Sequence, residues 1–587
     1  MSDNIWLSWL GELGGLRGMV STGPAYQELD SKGGEIRILR LLPSPSFKSK
    51  IQCVLHTAYL KDKPEYEALS YVWGDLSVCE SIVVDGRPTK VTVNLAAALR
   101  RLRYAVDERD IWVDRLCIHQ ADEVEKSYQV NMMKEIFSNT TNALLWLGDY
   151  GNSGILSALD VVDKNARVNA GNLISQKEAT EAFGLLESMA QHNHYDHLDW
   201  KTKRIAALRR LMSLSWWTRV WTVQEAVLPK TSTLVCGTMQ LPFERVTSAY
   251  YNTIKHFEHG CCTTRITFLW KLVDPIRYFQ GLSPNPDSFF LALSMFRQRQ
   301  ASDPRDRVFA LLGFGGTLAA DYSLSQRDLC MLSVRSPVSD SGDLLSLLRI
   351  TERHRSPDLP TWAPDWCTDP GDDYPHIEAG WLVCYKDYNA AGNTKAQLSK
   401  DMSGPVLDLQ GTMVDEILEF GRTSVNNFIK LITLINEWNT LMNRHCDDGK
   451  RMYPRGGTYE DAFWRVVIAD IIYLAGTDRR RARPEDEANS RKTWSSNRYS
   501  GQLPPTSTGL RFFVTRKGLI GAGARGLQVG DQIHVLLGGK TPFILRADKP
   551  KDDGGVFYQY IGNAYVHGIM DGEIMDENPE ITQVSLI

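Results

Sequence analysis

The chain has no window approaching 18 continuous apolar residues, so no membrane-spanning helix is expected. It has no CxxC pair: its ten cysteines are scattered, and only Cys261 and Cys262 are neighbours. That excludes a disulfide frame and the usual cysteine zinc sites, and it predicts reduced thiols in a cytoplasmic chain. Charge of one sign is also lacking. The 66 Lys+Arg stand against 70 Asp+Glu, a net charge of -4, which gives no general field for nucleic acid or an acidic membrane. Met1 to Val20 is mildly apolar, but Ser, Gly, Glu and Arg interrupt it and no basic front precedes it, so no signal peptide is expected. No internal repeat is visible. What remains is 587 residues, 43% hydrophobic and 23% charged, room for about three globular domains.

Residues 35 to 240 alternate strand-like and helix-like runs. Ala68–Val72 predicts a short strand. Ile82–Val84 and Val91–Val93 flank Asp85-Gly86, a hairpin signal. Asn94 is placed to cap a helix with the apolar stripe Leu95, Ala98, Leu99 and Leu102. Ile111–Val113 is the next strand. Asp122 and Glu125 have capping-box spacing, opening a helix with Val124, Tyr128, Met132 and Ile136 on one face. Ala143–Leu147 and Thr233–Cys236 complete the strands, and Trp216–Leu228 reads as one helix ended by Pro229. Strand and helix in alternation predict an α/β domain with a mostly parallel sheet covered by helices.

Beyond it, 241–475 reads as mainly helical and 476–508 as a flexible polar loop. From 509 to 587 short β-type runs punctuated by Gly and Asp predict a small β-rich module. Residues 1–34 form an N-terminal extension.

The chemistry concentrates in two places. On a helix, Trp217, Trp221 and Glu225 are four residues apart and share a face. A carboxylate on an aromatic stripe is costly to bury unpaired, and is resolved by a partner, a raised pKa or a ligand. A carboxylate held near a ribose stabilises oxocarbenium character as a glycosidic C–N bond breaks. The competing reading is structural: Arg219 or another Arg pairs with Glu225, and the tryptophans are core. The second place is the strand-end cluster of Ser70, Tyr71, Trp73, Gly74 and Asp75, with Asp114, Cys117 and Gln120 after the next parallel strand. In a parallel sheet, ligands bind beyond the carboxyl ends of strands. Here the competing reading is a loop brace.

Other signals carry less. Gly521-Ala-Gly-Ala-Arg-Gly526 fits GxGxxG, but the alternating Leu527-Gln-Val-Gly-Asp-Gln-Ile that follows reads as strand, where a dinucleotide site needs a helix. His192, His194, Asp196 and His197 fit no common metal spacing, so no metal site is assigned. Arg479–Arg483 is followed closely by Glu485, Asp486 and Glu487, which points to a solvated linker. Nothing in the sequence lowers the pKa of Cys117, so a buried thiol is the default reading.

Three ordered blocks resemble the fungal heterokaryon incompatibility (HET) family: Tyr66-Glu-Ala-Leu-Ser-Tyr-Val-Trp-Gly-Asp75; Ile111-Trp-Val-Asp-Arg-Leu-Cys-Ile-His-Gln120 with Glu125, Gln129 and Leu145-Trp-Leu-Gly148; and Arg219-Val-Trp-Thr-Val-Gln-Glu225. Asp303–Gly313, Pro360–Trp366 and the tail around Tyr565–Gly572 resemble segments that follow such domains. His119 and Arg115 depart from the family's usual Asn and small residue. The HET domain is in turn similar in layout to the Toll/interleukin-1 receptor (TIR) domain, some members of which cleave NAD at the nicotinamide–ribose bond with a glutamate. The resemblance implies a TIR-like, flavodoxin-like fold, Glu225 as catalytic carboxylate, and NAD as substrate with no resident cofactor. It places Ser70, Tyr71, Trp73, Gly74, Asp75, Asp114, Cys117, Gln120 and Trp221 around the substrate. It further implies a role in non-self recognition and cell death, through self-association or a protein partner. The alternative is a signalling module that associates without catalysis.

Overall fold

The structure is a computed structural model. It describes residues 24, 26–150, 174–191, 203–258, 267–348, 355–369, 384–398, 404–423, 428–446, 451–473, 479–488, 490, 510–550 and 554–587. The chain forms two compact units, Met1–Gln280 and Gly281–Ile587. The histidine-rich stretch 192–197 lies outside the described residues.

The first unit is built on nine strands: β1 (Glu35–Leu41), β2 (Gln52–Tyr59), β3 (Glu67–Tyr71), β4 (Cys79–Val84), β5 (Arg87–Thr92), β6 (Arg109–Trp112), β7 (Asn142–Trp146), β8 (Ser232–Cys236) and β9 (Met239–Pro242). Their order is β5-β4-β2-β1-β6-β3-β7-β8-β9. The four neighbours β6, β3, β7 and β8 run parallel. Toward the edges, β1 is antiparallel to both β2 and β6, and the β4–β5 and β8–β9 pairs are antiparallel hairpins. The sheet is therefore mixed, not mostly parallel. The strands β1 and β2, which no run of the sequence singles out, insert an antiparallel pair beside the parallel centre.

The centre is apolar because it is covered on both faces. In β3, Ala68, Leu69, Ser70 and Tyr71 are all buried. Asp85 (φ 52°) and Gly86 (φ 74°) turn the β4–β5 hairpin at the predicted place. The helix Val93–Leu102 buries the expected Leu95, Ala98, Leu99 and Leu102. Its cap is Thr92, whose side chain accepts from the Leu95 amide, instead of Asn94. Asn94 does other work: its Nδ2 donates to the Val72 carbonyl at 2.6 Å, and its Oδ1 accepts from Trp146 Nε1 at 2.9 Å. It ties the end of β3 to β7.

Asp122 caps the helix Glu123–Asn131 through the Val124 and Glu125 amides. Val124, placed by its spacing on the apolar face, is 81% exposed. The helix restarts at Met133–Asn139, and Ile136 and Phe137 reach the core. The expected single helix Trp216–Leu228 is also broken. A 3-10 turn, Ser215–Thr218, is followed by extended Arg219 (φ −76°, ψ 142°) and the α-helix Thr222–Val227. Trp216 and Trp217 are both fully buried, edge to face at 4.9 Å, and burying two adjacent large rings takes the chain off the helical period. The helices Gln176–Gln191, Lys203–Met212, Phe243–Glu258 and Thr267–Gln280 pack within this unit.

The second unit has helices such as Pro286–Met295 and Gln326–Ser341, then a seven-stranded sheet. Its strands are β10 (Leu407–Thr423), β13 (Leu510–Thr515), β14 (Ile520–Ala524), β15 (Gln532–Leu536), β16 (Phe543–Pro550), β17 (Val556–Val566) and β18 (Thr582–Leu586), in order β13-β14-β17-β16-β15-β10-β18. Additional β13–β10 and β17–β18 pairings close it, and every pair is antiparallel except β17–β18. Seventeen-residue β10, inside the region read as helical, belongs to this sheet and bends through bulges to pair with both β15 and β13. The helices Phe428–Cys446 and Tyr459–Val467 pack their apolar residues against one face. Short strands β11 (Ile471–Tyr473) and β12 (Arg479–Arg481) pair beside it.

The GxGxxG segment is strand, not a phosphate loop. A Cβ on Gly521 would lie 2.6 Å from the Tyr565 carbonyl oxygen, and one on Gly523 would lie 2.5 Å from Ile544 Cδ1. The glycines permit close strand packing. The basic run is likewise not a solvated linker: Arg479 pairs with Asp387, Arg480 with Asp486, and Arg481 with Asp470 and Asp571.

Candidate functional site

Glu225 lies on the helix Thr222–Val227, beside the carboxyl end of β3. It is buried, 8% exposed. Among the described residues it forms no ion pair, so the salt bridge of the competing structural reading is not made. Arg219 instead donates from Nη1 to the Tyr71 carbonyl at 2.9 Å, and it acts on Glu225 only as a nearby charge. The carboxylate takes its hydrogen bond from Ser70: Oγ donates to Oε2. Ser70 Oγ in turn accepts from Trp216 Nε1 at 2.8 Å. The result is a buried relay, indole to hydroxyl to carboxylate, joining the 3-10 turn, β3 and the following helix.

Burial pushes the Glu225 pKa up from 4.5 to about 7. The Ser70 hydrogen bond and the Arg219 charge pull it down, and Asp114 pushes it up. A carboxyl poised near neutrality, with no cationic partner within contact, is a candidate acid or charge stabiliser.

The second carboxyl, Asp114, begins the short helix Asp114–Cys117 after β6. Trp73 Nε1 donates to Oδ2 at 2.6 Å, and the Arg115 amide donates to Oδ1 at 2.6 Å. Burial raises its pKa, while Trp73, Arg219, the Arg115 amide and Tyr71 oppose that rise. Gln120 Nε2 donates to the Asp114 carbonyl at 2.8 Å, closing the loop on itself. Thus Ser70, Tyr71, Trp73, Asp114, Gln120 and Glu225 form one neighbourhood at the strand ends.

The other candidates stand apart in role. Asp75 is exposed and accepts from the Ser77 amide and hydroxyl, as a turn former does, and those bonds lower its pKa. Gly74, at φ 81°, turns the chain out of the sheet. Cys117 is buried, with its sulfur accepting from the Val113 amide at 3.3 Å. Burial pushes its pKa up to about 12, which leaves it an unreactive thiol. Trp221 precedes the Glu225 helix, half-buried against the sheet core. It does not share a helix face with Trp217, whose Nε1 donates to the Leu211 carbonyl at 3.0 Å.

Two residues essential to this geometry had no sequence signal. Trp216 precedes the Arg219–Glu225 block, and nothing in its spacing marks it as the donor to Ser70. Arg37 lies on β1 and crosses to Glu125 (2.6 and 2.9 Å) and to the Cys117 carbonyl (3.1 Å). Glu125 also accepts from the His119 amide at 2.6 Å. This buried pair clamps the loop that carries Asp114. His119, Asp122 and Glu125 place potential ligand atoms within 4.8 Å of one another. Arg37 already occupies Glu125 and Asp122 caps a helix, so the set is committed to structure.

This is the architecture of a protein with a mixed α/β domain bearing a buried, unpaired glutamate, followed by a closed β-sheet domain. The heterokaryon incompatibility protein (HET) family matches residues 66–225, and the Het-6 β-barrel domain family matches residues 478–582. Residues 66–225 are thus a HET domain. It is similar to the Neurospora crassa protein "Heterokaryon incompatibility protein 6, OR allele", at 24% identity over 660 aligned residues covering 93% of this chain and 95% of that relative. No solved structure matches this chain. Among the described residues no helix is long and apolar enough to cross a membrane.

Proposed function

We propose that this protein acts in heterokaryon incompatibility, and that its HET domain is a TIR-like NAD glycohydrolase with Glu225 as the catalytic carboxylate. The observation that carries the chemistry is the Glu225 environment: a buried carboxylate with no cationic partner, oriented by Ser70 and Trp216 and poised near neutrality. A purely structural carboxylate at this depth is normally neutralised by a partner. Water would add its hydroxyl to the ribose C1′ as nicotinamide leaves with the bonding pair, giving ADP-ribose, nicotinamide and a proton. Ionised Glu225 would stabilise the cationic ribose between bond breaking and water addition. Because Glu225 is only 8% exposed here, substrate entry requires the strand-end loop to open, and self-association is the natural trigger. The experiment is nicotinamide release from NAD by the purified chain, dilute and forced to oligomerise, beside Glu225→Gln.

A second reading is that the domain signals by association without catalysis. It is favoured by internal hydrogen bonds that already occupy these groups: Ser70 donates to Glu225, and Trp73 and Gln120 donate to Asp114. It predicts cell death without NAD consumption.

A further inference from the structure

The second unit contains a cavity of about 450 Å³, within the range of small-molecule sites. It is lined by Arg465, Asp470, Arg481, Tyr565, His567 and Asp571, among others. Asp470 follows the helix Tyr459–Val467. It and Ala469 are successive non-glycine residues in the left-handed region, at φ 56° and 50°. Such backbone is strained, and strain of this kind gathers at ligand clamps. Here it holds Asp470 between Arg465 Nη1 (2.6 Å) and Arg481 Nε (2.8 Å).

The other face of the Arg481 fork is taken by Asp571, bidentate at 2.7 and 2.9 Å. The two acids differ in depth: the Asp470 side chain is 7% exposed, the Asp571 side chain 52%. Behind the mouth, then, two guanidiniums face one carboxylate, and the exposed Asp571 supplies the missing negative charge. Asp461 approaches only Arg465 Nε, at 3.5 Å. Glu573 holds the Asp571 segment by accepting from its amide at 2.7 Å.

Two donors are left over. Arg465 Nη2 and His567 Nε2 have no hydrogen-bond partner among the described residues. His567 Nδ1 lies 3.1 Å from the Tyr565 hydroxyl. With that hydroxyl donating, Nε2 carries the proton. Burial pushes the imidazole down to about 4, so it is a neutral donor at neutral pH.

We propose that this cavity binds a small organic carboxylate, whose carboxylate replaces that of Asp571 on the Arg481 fork, with Arg465 and His567 as further donors. The fork already holds a carboxylate in two-point geometry. Asp470 and Glu573 disfavour the second negative charge of a phosphate. Asp571 thus acts as a built-in competitor.

The test is calorimetric titration and thermal shift on the intact chain with acetate, succinate and citrate, and with inorganic phosphate for comparison, at constant ionic strength. At least one carboxylate is expected to bind saturably. Arg481→Gln is expected to weaken that binding by about tenfold or more, and Asp571→Asn to tighten it. If Arg481→Gln does not fold, Asp571→Asn decides: tighter binding supports the site, and unchanged or weaker binding overturns it. The proposal is also overturned if no carboxylate binds either wild type or Asp571→Asn, or if phosphate alone binds.

Discussion

At the scale of single residues, Glu225 sets the pH dependence. Its folded pKa of about 7 lies above the ordinary 4.5, so the folded chain holds this proton more tightly than the unfolded chain. The resulting stabilisation is complete below about pH 4.5, is lost as pH rises through about 7, and is flat above that. At about 1.4 kcal/mol per unit, the loss is on the order of 3 kcal/mol. Glu225→Gln removes this component. Denaturant titrations from pH 4.5 to 8 should therefore show the variant gaining stability relative to wild type as pH rises, and parallel curves would count against the buried, unpaired assignment. Ser70→Ala removes the donor that favours the ionised form. The Glu225 titration should then move above 7, as seen by carboxyl NMR, and a downward move would contradict the relay. At this scale the sequence displayed the identity of the site but not its wiring. Ser70 was legible as a strand-end residue, whereas its donor Trp216 comes from a 3-10 turn that no periodicity announces. The Trp217–Trp221–Glu225 face dissolved because Arg219 is extended.

At the scale of elements, the loop Asp114–Gln120 is held by a clamp from β1. Arg37 and Glu125 are buried partners, with side chains 3% and 11% exposed. Removing one leaves a charge stranded, which costs about 3–5 kcal/mol. Arg37→Ala should lower stability by about that amount, and Arg37→Ala with Glu125→Ala should recover part of it. Additive losses in a double-mutant cycle would contradict the clamp. The parallel centre was readable because its strands are short apolar runs between turn signals. The antiparallel β1–β2 pair was not, since β2 (Gln-Cys-Val-Leu-His-Thr-Ala-Tyr) is a half-exposed strand with no clean alternation. The capping box was half right: Asp122 caps, but Glu125 turns away to Arg37.

At the scale of the whole molecule, the chain is two units, and the second draws its sheet from distant segments. Leu407–Thr423 pairs with residues of β13 and β15 from 88 (Thr423 with Arg511) to 125 (Gly411 with Leu536) positions later, and its bulges interrupt the alternation that would have marked it. The tight strand packing around β14 makes its own prediction. Gly521→Ala forces a Cβ against the Tyr565 carbonyl and should destabilise the second unit by about 1–3 kcal/mol. Calorimetry of the intact chain would detect it, and a neutral outcome would argue against that packing. For the function, the most direct measurement is nicotinamide release from NAD by the full-length chain under forced oligomerisation, with Glu225→Gln as its pair. The Glu225 assignment predicts release by the wild type and its loss in the folded variant. Equal release by both, or none from the assembled wild type, would contradict it.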